Sequence, residues 1–194
     1  MGSIEFKEPG DAVLYEKRDQ IVLITLNRPD SLNSINRQLR EEFGGAILRF
    51  DRDDDARVAI VTGEGRAFCA GRDLKERAED NAAGLQAKAG DSMTEESPYM
   101  WPRTWKPLIA AINGYALAGG WSIAQMCDLR LAADNARLGI TEARVGLIAP
   151  FGVALAKLIP MAAVMELFLT AEPVTAHRAY EMGFINKIVA RNEL

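Results

Sequence analysis

With 194 residues, 48% of them hydrophobic and 26% charged, the chain carries enough apolar material for a full α/β core, and no composition shift divides it. We read residues 1–194 as a single domain. The net charge of −4 is spread along the chain rather than blocked, so there is no basic face and no nucleic-acid partner is expected. No apolar run has membrane-spanning length, and Met1–Lys7 lacks the basic-then-apolar order of a secretory signal; the reading is a cytoplasmic protein with no membrane partner. Cys69 and Cys127, the two cysteines, lack metal-type spacing and suit a reducing compartment.

Val13–Lys17 and Ile21–Leu26 are β-rich runs around Arg18-Asp19-Gln20, which predicts a hairpin stopped by Asn27-Arg28-Pro29-Asp30. After the loop Ser31-Leu32-Asn33-Ser34, apolar residues from Ile35 through Leu39, Phe43, Ala46, Ile47 and Phe50 recur at helical spacing until the acidic cluster Asp51–Asp55. Val58–Thr62 reads as a buried strand. Leu74–Met100 is charged, alanine-rich and weakly periodic, helical in pieces; it is either a mobile cover over a ligand site or a solvated surface insertion. Leu108–Ile112 resumes the buried-strand pattern, followed by a helix from Gly120 to about Met126 and a strand at Leu129–Ala133. Helices are predicted over Val153–Ile159, Ala163–Thr170 and Thr175–Met182, with Gly183 as a stop, and a last strand over Ile185–Val189.

Two small-residue loops stand out, Arg66–Asp73 and Gly114–Trp121, each leading from a strand-like run into a helical one. Small residues at such turns allow a ligand close to the backbone, and the first amides of a helix have no partner inside it. Two such turns are able to hold one oxygen anion, as is needed to polarise a thioester or ester carbonyl. No Walker loop, dinucleotide glycine fingerprint or zinc spacing is present, which argues against phosphoryl and hydride transfer and against a metal site.

Six segments in this order resemble the enoyl-CoA hydratase/isomerase (crotonase) superfamily over nearly the whole length: Leu26–Asn33, Phe68–Lys75, Ile112–Gly120, Met126–Arg130, Glu142–Leu147 and Ala179–Asn186. The resemblance implies repeated β-β-α units wound as a superhelix, and coenzyme A thioesters as substrates in fatty acid metabolism. Coenzyme A would enter as part of the substrate, with no permanently bound cofactor. By position, Ala70 and Gly119 match the two amides that hold the thioester oxygen as an enolate forms, and Glu142 matches the acid/base carboxylate. Ser31, Leu32, the run Ala70, Gly71, Arg72, Asp73 and Leu74, and the pair Gly119 and Gly120 fall where the family contacts the coenzyme A moiety. A trimer or hexamer follows from the same resemblance, as do C-terminal helices beyond Leu194 that this chain does not include.

The chain departs from that pattern at Ser122, where hydratases commonly carry a second glutamate, and at Pro150, which has no amide hydrogen to offer a water. Ser122 is either a hydrogen-bonding partner for a water, as in enzymes resembling hydroxycinnamoyl-CoA hydratase-lyases, or a small helix residue beside Trp121. The leading expectation is a lyase of the enoyl-CoA hydratase type, with enoyl-CoA isomerase or a hydratase-lyase as alternatives and an acyl-CoA-binding pseudoenzyme as the non-catalytic one. A serine hydrolase lacks its base, because His177, the sole histidine, lies on a predicted solvated helix. Trp101, Trp121 and Phe151 read as core residues or as walls of an acyl pocket.

Overall fold

The computed structural model describes residues 6–84 and 101–194. The hairpin forms as β1 (Val13–Arg18) and β2 (Ile21–Leu26), antiparallel, with Asp19 left-handed at the turn (φ 53°). The helical spacing becomes α1 (Arg37–Arg52), started by Asn36, whose side chain accepts the Leu39 N–H at 2.9 Å. Leu39, Phe43, Ala46, Ile47 and Phe50 are fully buried. Each large side chain so buried contributes roughly 1.5–3 kcal/mol, which holds the helix against the hairpin.

From there the chain repeats one motif. β3 (Val58–Gly63), β4 (Ala67–Cys69) and α2 (Leu74–Ala82) are followed by β5 (Leu108–Ile112), β6 (Tyr115–Leu117) and α3 (Gly119–Met126). β7 (Leu129–Ala133) and β8 (Arg137–Gly139) then lead into a 3-10 turn at Glu142–Val145 and α4 (Gly152–Leu155). The chain closes with α5 (Met161–Thr170), β9 (Val174–Thr175), α6 (Ala176–Glu181) and β10 (Lys187–Val189). The first strand of each repeat enters a six-stranded sheet of order β1-β2-β3-β5-β7-β10, parallel beyond the hairpin. The second strand enters a smaller sheet of order β4-β6-β8-β9, in which β4, β6 and β8 run parallel. These are the β-β-α units the resemblance implies.

One contiguous apolar cluster extends from Ala12 to Ile185, with Trp121 stacked on Phe184 at a centroid separation of 4.1 Å. Trp121 is therefore a core residue. The predicted helix at Val153–Ile159 is a single α turn, Gly152–Leu155, after which the chain tightens into i→i+3 bonds, Lys157 N–H to Ala154 O at 3.1 Å and Leu158 N–H to Leu155 O at 2.8 Å. The last strand begins at Lys187 rather than Ile185, whose N–H is already bonded to Ala179 O at 3.2 Å. Of the charged stretch after Leu74, residues 74–82 form α2; the part over 85–100 lies outside the described residues.

Candidate active site

Parallel pairing of three short strands positions the site. Leu117 is in register with Gly139, and Ala116 with both Leu138 and Cys69, so the carboxyl ends of β4, β6 and β8 lie side by side, about 4.8 Å apart. Each strand then turns toward its helix at the same edge. The three turns bring Ala70, Arg72, Gly119 and Glu142 to one cleft of about 1040 Å³, whose wall also includes Ser122.

The first two turns touch. Gly71 is left-handed (φ 93°), and a Cβ there would meet the Ala118 Cβ at 2.8 Å and the Gly119 nitrogen at 3.2 Å. Only glycine fits both requirements. Ala118 itself holds φ 51° and ψ −119°, fixed by its N–H to Gly139 O at 2.9 Å. Backbone in that region costs on the order of 1–3 kcal/mol, and here it turns the chain so that Gly119 opens α3. The Gly119 N–H belongs to the first turn, where no acceptor exists inside the helix.

The expected partner amide, that of Ala70, is already bonded. Ala70 lines the cleft, but its N–H donates to Leu32 O at 3.0 Å and is spent on the fold. Leu32 in turn is left-handed (φ 54°), which turns that carbonyl toward the loop. Gly71 N–H goes to Cys69 Sγ at 3.4 Å. Arg72 forms a parallel bridge with Ile35, which bonds Gly71 O at 2.7 Å and receives the Asp73 N–H at 3.0 Å. In such a bridge the N–H of the middle residue faces away from the partner strand. The Arg72 nitrogen lies 3.8 Å from where a Cβ on Gly119 would be.

Glu142 opens the third turn, which is closed by Leu147 N–H to Glu142 O at 3.0 Å. Its Oε2 is buried and has no hydrogen-bond partner. Arg144, two residues on, pairs with Glu172 at 2.5 Å and supplies no counter-charge. Burial pushes the Glu142 carboxyl above the usual carboxylate range, against a smaller opposing pull from the backbone N–H groups of Glu142 and Thr141. That environment favours a carboxyl that takes up and returns a proton.

Several predicted residues are structural here. Ser31 donates its hydroxyl to Arg28 O at 3.2 Å, and Asp73 caps α2 by accepting the Lys75 and Glu76 N–H groups while Arg28 donates to it at 3.0 Å. A Cβ on Gly120 would lie 2.1 Å from Cys69 O, so this glycine serves close packing of α3 on β4. None of these, nor Leu32 or Gly71, is on the cleft wall, whereas Arg72 and Leu74 are. Cys69 and Cys127 are free and buried, with both thiols pushed up to about 12 by burial; neither is poised as a nucleophile. His177 is exposed on α6. Trp101 and Phe151 line the cleft, as does Arg40 of α1, whose spacing beside core residue Leu39 gave no functional signal.

The family model for enoyl-CoA hydratase/isomerase matches residues 16–194. The chain belongs to the enoyl-CoA hydratase/isomerase family. It is 36% identical over 186 residues to the (E)-benzylidenesuccinyl-CoA hydratase of Thauera aromatica, covering 94% of this chain and 71% of that protein. Against the short-chain-enoyl-CoA hydratase of Clostridium acetobutylicum the identity is 34% over 185 residues, with 94% and 70% covered. A crystal structure of an enoyl-CoA hydratase from Mycobacterium tuberculosis superposes with a TM-score of 0.81 at 38% identity, over 94% of this chain and 70% of that one. A probable enoyl-CoA hydratase/isomerase from Mycobacterium abscessus gives 0.80 at 41%, over 95% and 71%. These relatives make the chain an enzyme of the hydratase/isomerase family with the crotonase fold. No helix among the described residues is long and apolar enough to cross a membrane.

Proposed function

We propose that the protein adds water to a 2-enoyl-CoA thioester, with the Gly119 and Arg72 amides holding the thioester oxygen and Glu142 moving the proton. The observation that carries this reading is the buried, unpartnered Glu142 Oε2 in the same cleft as the Gly119 amide. As water adds to the β carbon, Glu142 takes its proton and the electron pair of the double bond passes to the thioester oxygen as an enolate. Glu142 then returns that proton to the α carbon, which gives the 3-hydroxyacyl thioester with all atoms accounted for. Preorganised amides at the developing oxyanion are worth roughly 3–4 kcal/mol of barrier each. The substrate brings coenzyme A with it. Leu74, Arg72 and the wall of the first turn are proposed to line its path, whereas Ser31, Leu32, Gly71 and Asp73 act by holding that turn in shape.

A second reading has specific support. Ser122 replaces a second carboxylate on the wall, and Glu76 and Asp80, the other acids lining the cleft, are both engaged by Arg37. One carboxylate suffices to shift a double bond from the 3 to the 2 position. A panel of crotonyl, 3-enoyl and hydroxycinnamoyl thioesters separates hydration, isomerisation and cleavage, and α-proton exchange of a saturated acyl-CoA in deuterium oxide tests the shared enolate step. Exchange with no turnover of any enoyl thioester would remove the hydratase reading; binding with no exchange would leave an acyl-CoA-binding protein. Assembly as a trimer or hexamer and a cytoplasmic location remain part of the proposal.

A further inference from the structure

The cleft wall carries Arg37 and Arg40 from α1, Arg72 from the first turn and Arg77 from α2, with Glu76 and Asp80 of α2 beside them in the sequence. Arg37 uses both acids: its N–H donates to Glu76 at 3.0 Å and its guanidinium to Asp80 at 3.0 Å. Among the described residues Arg40 makes no ion pair, and its Nε is buried without a hydrogen-bond partner. The charged groups around it are Glu41, Glu76, Arg37 and Arg72, and Glu41 is itself taken by Lys7 at 2.7 Å. Desolvation lowers the Arg40 pKa, yet a guanidinium stays charged in a protein. Arg40 therefore presents a guanidinium without an ion-pair partner on the cleft wall, where an anionic group of a ligand would supply its counter-charge.

We propose that Arg40 binds a second carboxylate on the acyl group, which makes ω-carboxyacyl thioesters a preferred substrate class of this cleft. The proposal rests on the reading of the cleft as a thioester site. A planar, singly charged carboxylate matches the guanidinium fork, whereas a phosphate of coenzyme A is a hydrated, multiply charged group suited to an open rim.

Calorimetric binding of succinyl-, glutaryl- and adipyl-CoA is compared with butyryl-, pentanoyl- and hexanoyl-CoA for the wild type, Arg40→Met and Arg40→Lys. In the wild type at least one ω-carboxy thioester binds about tenfold or more tighter than its methyl-ended counterpart. Arg40→Met brings that ratio to near unity, and Arg40→Lys, which keeps the charge but loses the fork, restores part of it. Equal affinities within each pair in the wild type overturn the proposal. So does a loss in Arg40→Met that is the same for both members of a pair and vanishes with phosphate-free pantetheine thioesters, since that pattern assigns Arg40 to a coenzyme A phosphate. Failure of every thioester to bind the folded wild type overturns the thioester reading and this proposal with it; tight binding without discrimination overturns only the latter.

Discussion

Glu142→Gln separates the chemical role of the third turn from its structural one. Glutamine keeps the shape and loses the ability to accept a proton, so hydration of crotonyl-CoA should fall by about 10²–10⁴, the usual contribution of a positioned acid/base group. That corresponds to roughly 3–5 kcal/mol of barrier. Stability should move the other way. Because burial raises the folded pKa of Glu142 above the ordinary 4.5, its contribution to stability is fully present below the unfolded pKa and is lost as pH rises through the folded value. At neutral pH the ionised carboxylate therefore weighs against folding, and the amide relieves that burden. The assay is kcat/KM across pH for the wild type, single-pH rates for the variant, and thermal melting of both. The wild-type acid limb should have its midpoint above 4.5, and the variant should melt at the same temperature or higher while still binding a saturated acyl-CoA. Near-normal rates in Glu142→Gln would refute the catalytic reasoning, and a large fall in melting temperature at neutral pH would refute the account of the buried carboxyl.

Gly120→Ala places a methyl 2.1 Å from Cys69 O, against backbone that cannot swing aside. We expect a loss of about 1–3 kcal/mol, seen as a lower denaturant midpoint with an unchanged slope. Arg28→Leu removes the guanidinium that Asp73 accepts from, a pair with side chains 23% and 14% exposed; about 1–3 kcal/mol should be lost at neutral pH. Burial pushes the Asp73 carboxyl up, but hydrogen bonds from Arg28, the Glu76 N–H and Ser34 outweigh this and hold it low. The stabilisation is therefore present above the unfolded carboxyl pKa and disappears as pH falls through the lower folded one, so the gap between wild type and Arg28→Leu should narrow in strong acid. Cys69 and Cys127, buried with raised pKa values, should resist alkylation in the native protein and react as two thiols once it is unfolded. Rapid native modification of either would contradict the packing.

Much of the fold follows from the sequence where an element is long enough to display an apolar spacing or run. The hairpin and α1 show their apolar spacing over several residues, β3 and β5 are continuous apolar runs of buried-strand type and β7 is apolar apart from Arg130, and each forms within a residue or two of its expected limits. β4, β6 and β8 span three residues each and leave no period to read; they were expected as loop or not at all. Their pairing with one another, across intervening stretches of about 45 and about 20 residues, builds most of the small sheet. The order of motifs was enough to select Glu142, Gly119 and the first loop. That the Ala70 N–H is not free for a ligand was decided by a contact from outside the loop, the Leu32 carbonyl that accepts it. Likewise, nothing local distinguishes Glu142 from a surface glutamate or Arg40 from the outer face of α1. A residue's identity supplies its donors, acceptors and charge, but whether water or protein surrounds them depends on what packs there from elsewhere in the chain. Proton affinity, unspent amides and unpaired charge depend on that surrounding, so they became visible only in the assembled structure.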